Sequence, residues 1–544
     1  MSKVAHYLQE HLVGEVMTST DARRYFSTDG SILQLAPALV AYPRNENDVR
    51  KACRFSWQLA ERGRVIPITP RGSGTDTSGA ALGEGIVLVF PAHMNRVLEL
   101  DTKTNTVTVE PGINYGKLQQ TLHTHGRFLP PYPASLEYST VGGAVATNSA
   151  GEKAVKYGDT RGYVKSLRVV LANGEVIETK RLSKRELSKK LGLATFEGEI
   201  YRSIDTLLEE QRDVVERTER SVARNNSGYS LLDIKRRDGS FDLTPLIVGS
   251  QGTLGIITEA VLTTEVHNPQ TTLLVGKFDS LQQLQDAVLE LRNLSEKPSA
   301  IEFIDEYTLN QVNELNPNQL GDSLQAPFPT AMLFVEFDTD SKKVKKVAKR
   351  ASKIFEKYAT SLETYTDPEQ QQNAWKIREV TSLLVGHNEG LLRPSPIIDD
   401  GAVPVDQLRA FIEGVYKILE TNSLPLGVWG QAGEGRLHLQ PRLNLGQVGD
   451  RQRAFRIMDD YHKLVISLGG TISSEAGDGR LRAPYLEQMY GSEQFSLLQK
   501  VKQVFDPYGV MNPGVKFGTS VDDLKSIIRT DFGLDQVYDH LPRS

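Results

Sequence analysis

Two periodicities divide this chain into elements. Over residues 46–63, Val49, Ala52, Cys53, Trp57 and Ala60 recur at helical spacing; Asn45 or Asn47 can cap the start and Gly63 can end it, which predicts a helix. A short β-type run at 65–69 then stops at the loop PRGSGTDTSG, residues 70–79. Runs at 86–90, 97–100 and 106–109 predict strands, and those at 167–171 and 176–179 are joined by Ala172-Asn173-Gly174-Glu175, whose Asn-Gly pair favours a two-residue hairpin. The pattern breaks at His267-Asn268-Pro269, a predicted boundary. Beyond it come a helix at 281–294, strands at 301–303 and 331–337, and amphipathic helices at 405–422 and 453–468, the last stopping at Gly469-Gly470. His462 falls mid-helix and reads as a packing or surface residue rather than a ligand. A further helix sets Val344, Val347, Ala348, Ala351, Ile354 and Phe355 against Lys342, Lys343, Lys346, Lys349, Arg350 and Lys353; the preferred reading is a solvated face, the alternative a patch for an anionic partner. Strands mix with helices in both halves, so the predicted class is α+β.

Composition narrows the function. At about 150 residues per domain, 544 residues suggest three to four domain-sized units. Sixty-three Lys plus Arg against 68 Asp plus Glu leave a net charge of −5, so no excess of positive charge is available for a nucleic-acid backbone. Cys53 is the sole cysteine, which excludes a disulfide framework and a Cys-ligated zinc or iron–sulfur site within the chain. Lys3, Gln9, Glu10 and Glu15 interrupt the N-terminal apolar residues, and no run of about 18 apolar residues occurs. The expected location is cytoplasmic, with peripheral membrane association left open.

Three glycine-rich segments carry the chemistry. The first, Arg71-Gly72-Ser73-Gly74-Thr75-Asp76-Thr77-Ser78-Gly79, directly follows a strand. Its glycines allow positive φ and convergent N–H groups for an anion, with Arg71, Ser73, Thr75 and Ser78 as added donors; a tight structural turn is the competing reading. It matches neither a Walker A loop nor GxGxxG. The second runs from Ser139-Thr140-Val141-Gly142-Gly143 to Gly151, followed by Lys156-Tyr157-Gly158, and its small residues permit close approach to a large planar ligand. The third is 248–257, VGSQGTLGII.

With PPYPASLEYSTVGGAVATNSAG, KYGDTRGYV and IVGSQGTLGIITEAVL in this order, the chain resembles FAD-linked oxidases of the vanillyl-alcohol oxidase / p-cresol methylhydroxylase (PCMH) superfamily. The branch it is most similar to holds the D-lactate dehydrogenases, D-2-hydroxyglutarate dehydrogenases and glycolate oxidases. The resemblance covers about residues 25–518, and SSEAGDGRLRAPYLEQMYG and VKQVFDPYGVMNPGVKFG extend it to the C-terminal part. It implies an N-terminal helical segment (1–35), a PCMH-type FAD-binding domain (36–268), a C-terminal α+β substrate or cap domain with an antiparallel sheet (269–518) and a tail (519–544). It implies that Pro70, Arg71, Gly72, Ser73, Gly74, Thr75, Asp76, Ser78 and Gly79 cradle the FAD pyrophosphate. Ser139, Thr140, Gly142, Gly143, Ala146, Asn148, Gly151, Tyr157 and Gly158 would lie along the dinucleotide and isoalloxazine. Gly252, Gly255, Ile256, Ile257 and Asn512 would close over the flavin. Pro131 and Ser135 match a PPDPAS segment in which Tyr132 replaces the usual aspartate. Some members attach flavin through a loop histidine; Gly74-Thr75-Asp76 holds none, so non-covalent FAD is expected.

A 2-hydroxy acid brings a carboxylate that a guanidinium can hold bidentately. Trp375-Lys376-Ile377-Arg378-Glu379 resembles the branch's substrate-arginine segment, making Arg378 the candidate; an Arg paired with a neighbouring acid is the alternative. The branch motif GHxGDGNLH, with both histidines near a divalent metal, aligns with Gly430-Gln431-Ala432-Gly433-Glu434-Gly435-Arg436-Leu437-His438. Its EHG segment, supplying a glutamate ligand and a proton-accepting histidine, aligns with Glu475-Ala476-Gly477. His438 and Glu475 are retained as catalytic and metal candidates, while Gln431 and Ala476 replace two imidazoles, so a metal such as zinc would have an incomplete site. The expectation is FAD-dependent oxidation of a D-2-hydroxy acid by hydride transfer to flavin N5. Electrons would leave to a separate quinone, cytochrome, electron carrier or dioxygen. The alternative is a flavoprotein with altered or lost hydroxy-acid activity; a redox-neutral transferase has no feature in its favour.

Overall fold

A computed structural model describes residues 2–531 except 317, 319, 321–323, 340, 382, 383, 385–389 and 425. Residues 532–544 of the expected tail lie outside the described residues. The N-terminal half is built on two sheets. In the first, strand Ile86–Val89 lies between Leu39–Tyr42 and Ile68–Arg71, parallel to both, with Leu39 and Ile68 each opposite Ile86. All four residues of Ile86–Val89 are buried, as expected of a central parallel strand covered on both faces. The segment expected to be helical does hold helix Ser2–His11, but it also contributes strand Glu15–Met17, antiparallel to Leu39–Tyr42. Helix Glu46–Ala60 forms as predicted, with the Asn45 side chain capping it through the Asp48 amide, and the chain reaches positive φ at Gly63.

The second sheet is antiparallel, in the order Val97–Asp101, Thr106–Val109, Ile256–Thr263, Val164–Val170, Val176–Thr179. Strand Ile256–Thr263 begins inside the glycine-rich segment 248–257 and has no counterpart among the expected strands, because periodicity cannot show where a loop becomes a ladder. The hairpin between Val164–Val170 and Val176–Thr179 exists, but of its Asn-Gly pair only Gly174 has positive φ, at 84°. A type I′ turn needs positive φ at both positions and a type II′ turn at the first, and neither is met, so this connection is longer, closed by the Leu171 amide donating to the Glu175 carbonyl.

The C-terminal half is organised by a five-stranded antiparallel sheet, Ser361–Tyr365, Thr272–Phe278, Ala331–Phe337, Ala300–Asp305 and Trp429–Gly430. Its alternation divides two cores. Leu274, Phe278, Leu333, Val335 and Phe337 pack with residues of helices Leu281–Arg292 and Ser341–Tyr358. Leu273, Val275, Met332 and Phe334 instead meet Ala374 and Trp375 of helix Pro368–Glu379. The second packing fixes the position of Arg378 at that helix's last turn. Helices Leu408–Thr421 and Val448–Ser467 follow the predicted amphipathic runs.

Candidate functional site

A cavity of about 1760 Å³ lies between the two halves. The three glycine-rich loops form one wall, and the C-terminal sheet, Arg378 and the 429–440 and 475–476 segments form the other.

The loops lock into one another. A Cβ on Gly72 would lie 2.3 Å from Thr140 Oγ1, one on Gly142 2.5 Å from Pro111 Cβ, and one on Gly252 (φ 74°) 2.4 Å from Pro70 Cγ. The Gly249 and Gln251 amides donate to the Val145 and Ala146 carbonyls at 3.0 and 2.9 Å, tying the third loop to the second. Gln251 Nε2 donates to Ser78 Oγ at 3.1 Å and the Ala476 carbonyl at 3.2 Å, while its Oε1 accepts from the Gly479 amide at 2.9 Å. One amide side chain therefore joins the first loop to the C-terminal segment.

The cavity lining contains Pro70, Arg71, Gly72, Ser73, Gly74, Thr75, Asp76, Ser135, Ser139, Thr140, Gly142, Gly143, Ala146, Gly151, Gly252, Gly255 and Ile257. The other expected contacts stand behind it. Asn512 is fully buried and donates to the Ala80 and Gln251 carbonyls while accepting from Thr69 Oγ1, all at 2.8–2.9 Å. Ser78 Oγ donates to Asp76, and Gly79 turns the loop at φ 79°. Asn148 ends helix Val141–Thr147 in the left-handed region, and its side chain donates to Asp159 and accepts from the Arg161 amide. Tyr157 donates to Asp338 Oδ2 at 2.8 Å, next to Gly158 at φ 76°. Ile256 joins the core of the first sheet, because strand alternation turns only Ile257 toward the cavity. Pro131 does not reach the wall. Arg71 is not an open donor: it is 3% exposed, its guanidinium lies 5.2 Å from the Phe26 ring centroid, and Nη1 contacts the Phe26 and Ala81 carbonyls at 3.4 Å. Asp76 shapes the same loop by accepting from the Ser78 and Ala80 amides. Tyr132, in place of the usual aspartate, donates to Glu152 Oε1 at 2.8 Å.

Arg378, His438 and Glu475 all line the cavity. Arg378 Nε and Nη2 bond Glu302 Oε2 at 3.0 and 2.6 Å, and Nη1 donates to Thr381 Oγ1 at 3.1 Å. His438 Nδ1 lies 2.7 Å from Asp399 Oδ1 and Nε2 lies 3.0 Å from Gln431 Oε1. Burial would raise the Asp399 carboxyl, but His438 and then the Arg436 and Arg482 guanidiniums outweigh it and hold the carboxyl below its ordinary range. Glu475 is engaged by Arg436 Nη1, whose other contacts are Gln431 Oε1 at 3.3 Å and, through Nε, Asp400 at 3.1 Å. The two donors proposed for a metal are thus already engaged, His438 by Asp399 and Gln431 and Glu475 by Arg436, and among the described residues no cluster of three or more His, Cys, Asp or Glu is arranged for an ion.

Sequence reasoning missed Asp399, Asp400, Glu302 and Arg393. Asp400, at φ 90°, accepts from the Glu475 and Ala476 amides at 2.9 and 2.8 Å and from Ser473 Oγ at 2.6 Å, so the strained backbone is paid for by a dense set of donors. The available signals were an acidic pair after Ile397-Ile398 and a carboxylate, Glu302, in the middle of the apolar strand that Asp305 ends. Arg393 adds a further guanidinium to the cavity wall.

The fold and this cavity define a class, and comparison with known proteins gives the family. A model of the FAD binding domain matches residues 37–180, and one of the C-terminal domain of FAD linked oxidases matches 267–515. The chain belongs to the FAD-linked oxidases. It is 30% identical to D-2-hydroxyglutarate dehydrogenase of Escherichia coli over 524 residues, covering 93% of this chain and 50% of that protein. It is 29% identical to glycolate oxidase subunit GlcD of Bacillus subtilis over 488 residues (89% and 90% covered) and 28% identical to D-lactate dehydrogenase of Archaeoglobus fulgidus over 503 (92% and 96%). The chain spans about half the length of the D-2-hydroxyglutarate dehydrogenases it matches. Among solved structures, 4-ethylphenol oxidase from Gulosibacter chungangensis shares the fold with a TM-score of 0.67 at 15% identity, covering 96% of this chain and 98% of that one. p-Cresol methylhydroxylase also gives 0.67, at 13% identity, covering 96% and 97%. No helix among the described residues is long and apolar enough to cross a membrane.

Proposed function

We propose that this chain oxidises a small D-2-hydroxy acid of the D-lactate, D-2-hydroxyglutarate or glycolate class, with FAD held non-covalently in the cavity. The observation that carries the reading is that one cavity joins the three interlocked glycine loops to Arg378 and His438. Gly72, Gly142 and Gly252 let these segments pack where a Cβ would collide with a neighbour, and all three present side-chain-free backbone to the cavity. FAD, when bound, supplies the hydride acceptor at N5. The remaining tasks belong to side chains. Arg378, oriented by Glu302, offers its remaining N–H groups to the substrate carboxylate, and Arg393 adds positive charge to the same wall. His438, its ring fixed by Asp399 through Nδ1, takes the hydroxyl proton at Nε2 once the substrate hydroxyl displaces Gln431 Oε1, which lies 3.0 Å from that nitrogen. Electrons then pass to a separate acceptor.

Anaerobic mixing of the FAD-loaded protein with D-lactate, D-2-hydroxyglutarate and glycolate, with the L-enantiomers as controls, is expected to bleach the flavin with at least one D-acid or with glycolate. Bleaching by none of them overturns the proposal. That result would support a second reading, a flavoprotein with altered or lost hydroxy-acid activity, which Ala476 favours by leaving no imidazole beside Glu475.

A further inference from the structure

We infer that the guanidinium of Arg436 stands where the resemblance places a divalent metal, so that this chain carries a fixed cation in its cavity and binds no metal there. The residues aligned with the metal donors are Gln431, His438 and Glu475, and Arg436 replaces the asparagine of the GHxGDGNLH motif. Arg436 is 5% exposed and touches two of these three residues, Glu475 and Gln431, together with the Asp400 carboxylate. Nη1 is bonded to Glu475 Oε2 and lies 3.3 Å from Gln431 Oε1, and Nε is 3.1 Å from the Asp400 carboxylate. Gln431 Oε1 also faces His438 Nε2 at 3.0 Å, and His438 Nδ1 faces Asp399.

Coordination needs lone pairs converging on one point. Here the glutamate oxygen and the amide oxygen converge on a guanidinium instead, and the imidazole is held between an amide and a carboxylate. A divalent ion would have to break these contacts and sit beside a buried positive charge. The local backbone supports the replacement. The Arg436 amide donates to the Gln431 carbonyl at 3.2 Å, and a Cβ on Gly435 (φ 68°) would lie 2.1 Å from the Val403 carbonyl oxygen, so the turn that presents Arg436 is closely constrained. Among the described residues no hydrogen bond is formed by Nη2, which leaves it as the donor for an oxygen of a ligand in the cavity.

The test is metal content, which does not depend on which substrate is turned over; a failure of the hydroxy-acid panel and a failure of this inference are therefore distinguishable. The FAD-loaded protein is dialysed against Zn²⁺, Mn²⁺ or Co²⁺, and bound metal is counted per flavin by mass spectrometry, with visible ligand-field absorption as the readout for Co²⁺. The wild type is expected to stay substoichiometric. The Gln431→His/Arg436→Asn variant is expected to take up one equivalent and to show a cobalt band, its flavin spectrum reporting that it is folded. If the double variant does not retain flavin, the single variant Arg436→Asn replaces it, with metal uptake above wild type expected. One tight equivalent in the wild type overturns the inference, as does a flavin-loaded variant that gains no metal.

Discussion

His462 shows how burial converts a titratable side chain into a pH-dependent stability contribution. It is 1% exposed, its ring centroid lies 4.1 Å from that of Tyr485, and burial followed by the Arg482 charge pushes its pKa down to about 3 from 6.5. The folded state therefore keeps it neutral across a range in which the unfolded chain takes up a proton. Stability is fully present above pH 6.5 and falls as pH drops toward 3, by up to about 1.4 kcal/mol per pH unit for this one group. Denaturant melts at pH 7, 5 and 4 should show a shallower loss for His462→Phe than for the wild type; identical slopes would refute the assignment. From sequence, His462 was legible as a packing or surface residue rather than a ligand; only the packed helix, which buries it with Met458 and Val465, decided between the two. Arg378 was legible as a site arginine with an acid pair as the alternative, but not which acid; Arg71 was legible as a donor but not as a buried one. Glu302, which orients Arg378, comes from a strand 76 residues away, and Arg71 is sealed against Phe26.

Among elements, the glycine loops were the most visible feature, and their mutual packing was the least visible. Gly142 sits where a Cβ would lie 2.5 Å from Pro111 Cβ and 2.7 Å from its carbonyl oxygen, whereas a Cβ on Gly162 meets nothing within 4 Å. Gly142→Ala should destabilise by about 1–3 kcal/mol, as overpacking does, and lower the flavin absorbance per protein. Gly162→Ala should change neither. Thermal melts with absorbance at the flavin maximum check both, and a full flavin load in Gly142→Ala would count against the role of this loop. Strand boundaries were shifted for a related reason: Ile68–Arg71 continues into the loop's first two residues because pairing with Ile86–Val89, a non-local event, decides where a strand stops.

For the molecule as a whole, the cavity exists only if the two halves stay clasped. Lys153 meets Glu336 and Lys156 meets Asp338, each at 2.5 Å, with Tyr157 on the same Asp338 at 2.8 Å. Asp338 is only 5% exposed at its side chain, so these bonds are partly desolvated. A double-mutant cycle of Lys156→Ala and Asp338→Ala, followed by urea unfolding, is expected to give a coupling of about 1–3 kcal/mol, with salt reducing it little. Additive single effects would show that the Lys156–Asp338 pair does not help to hold the halves together.

The sequence by itself determined the α+β class, the helices with strong 3.6 periodicity, and the three loops, because each depends on side chains and backbone freedom within a few residues. Only the tertiary structure decided which acid each arginine meets, that Asn512 braces the loops from behind, and that Arg436 fills the space between Gln431, Glu475 and Asp400. A motif fixes which residues stand at which spacing. The partner a charge finds depends on which distant strand or turn the packed cores bring within hydrogen-bond reach.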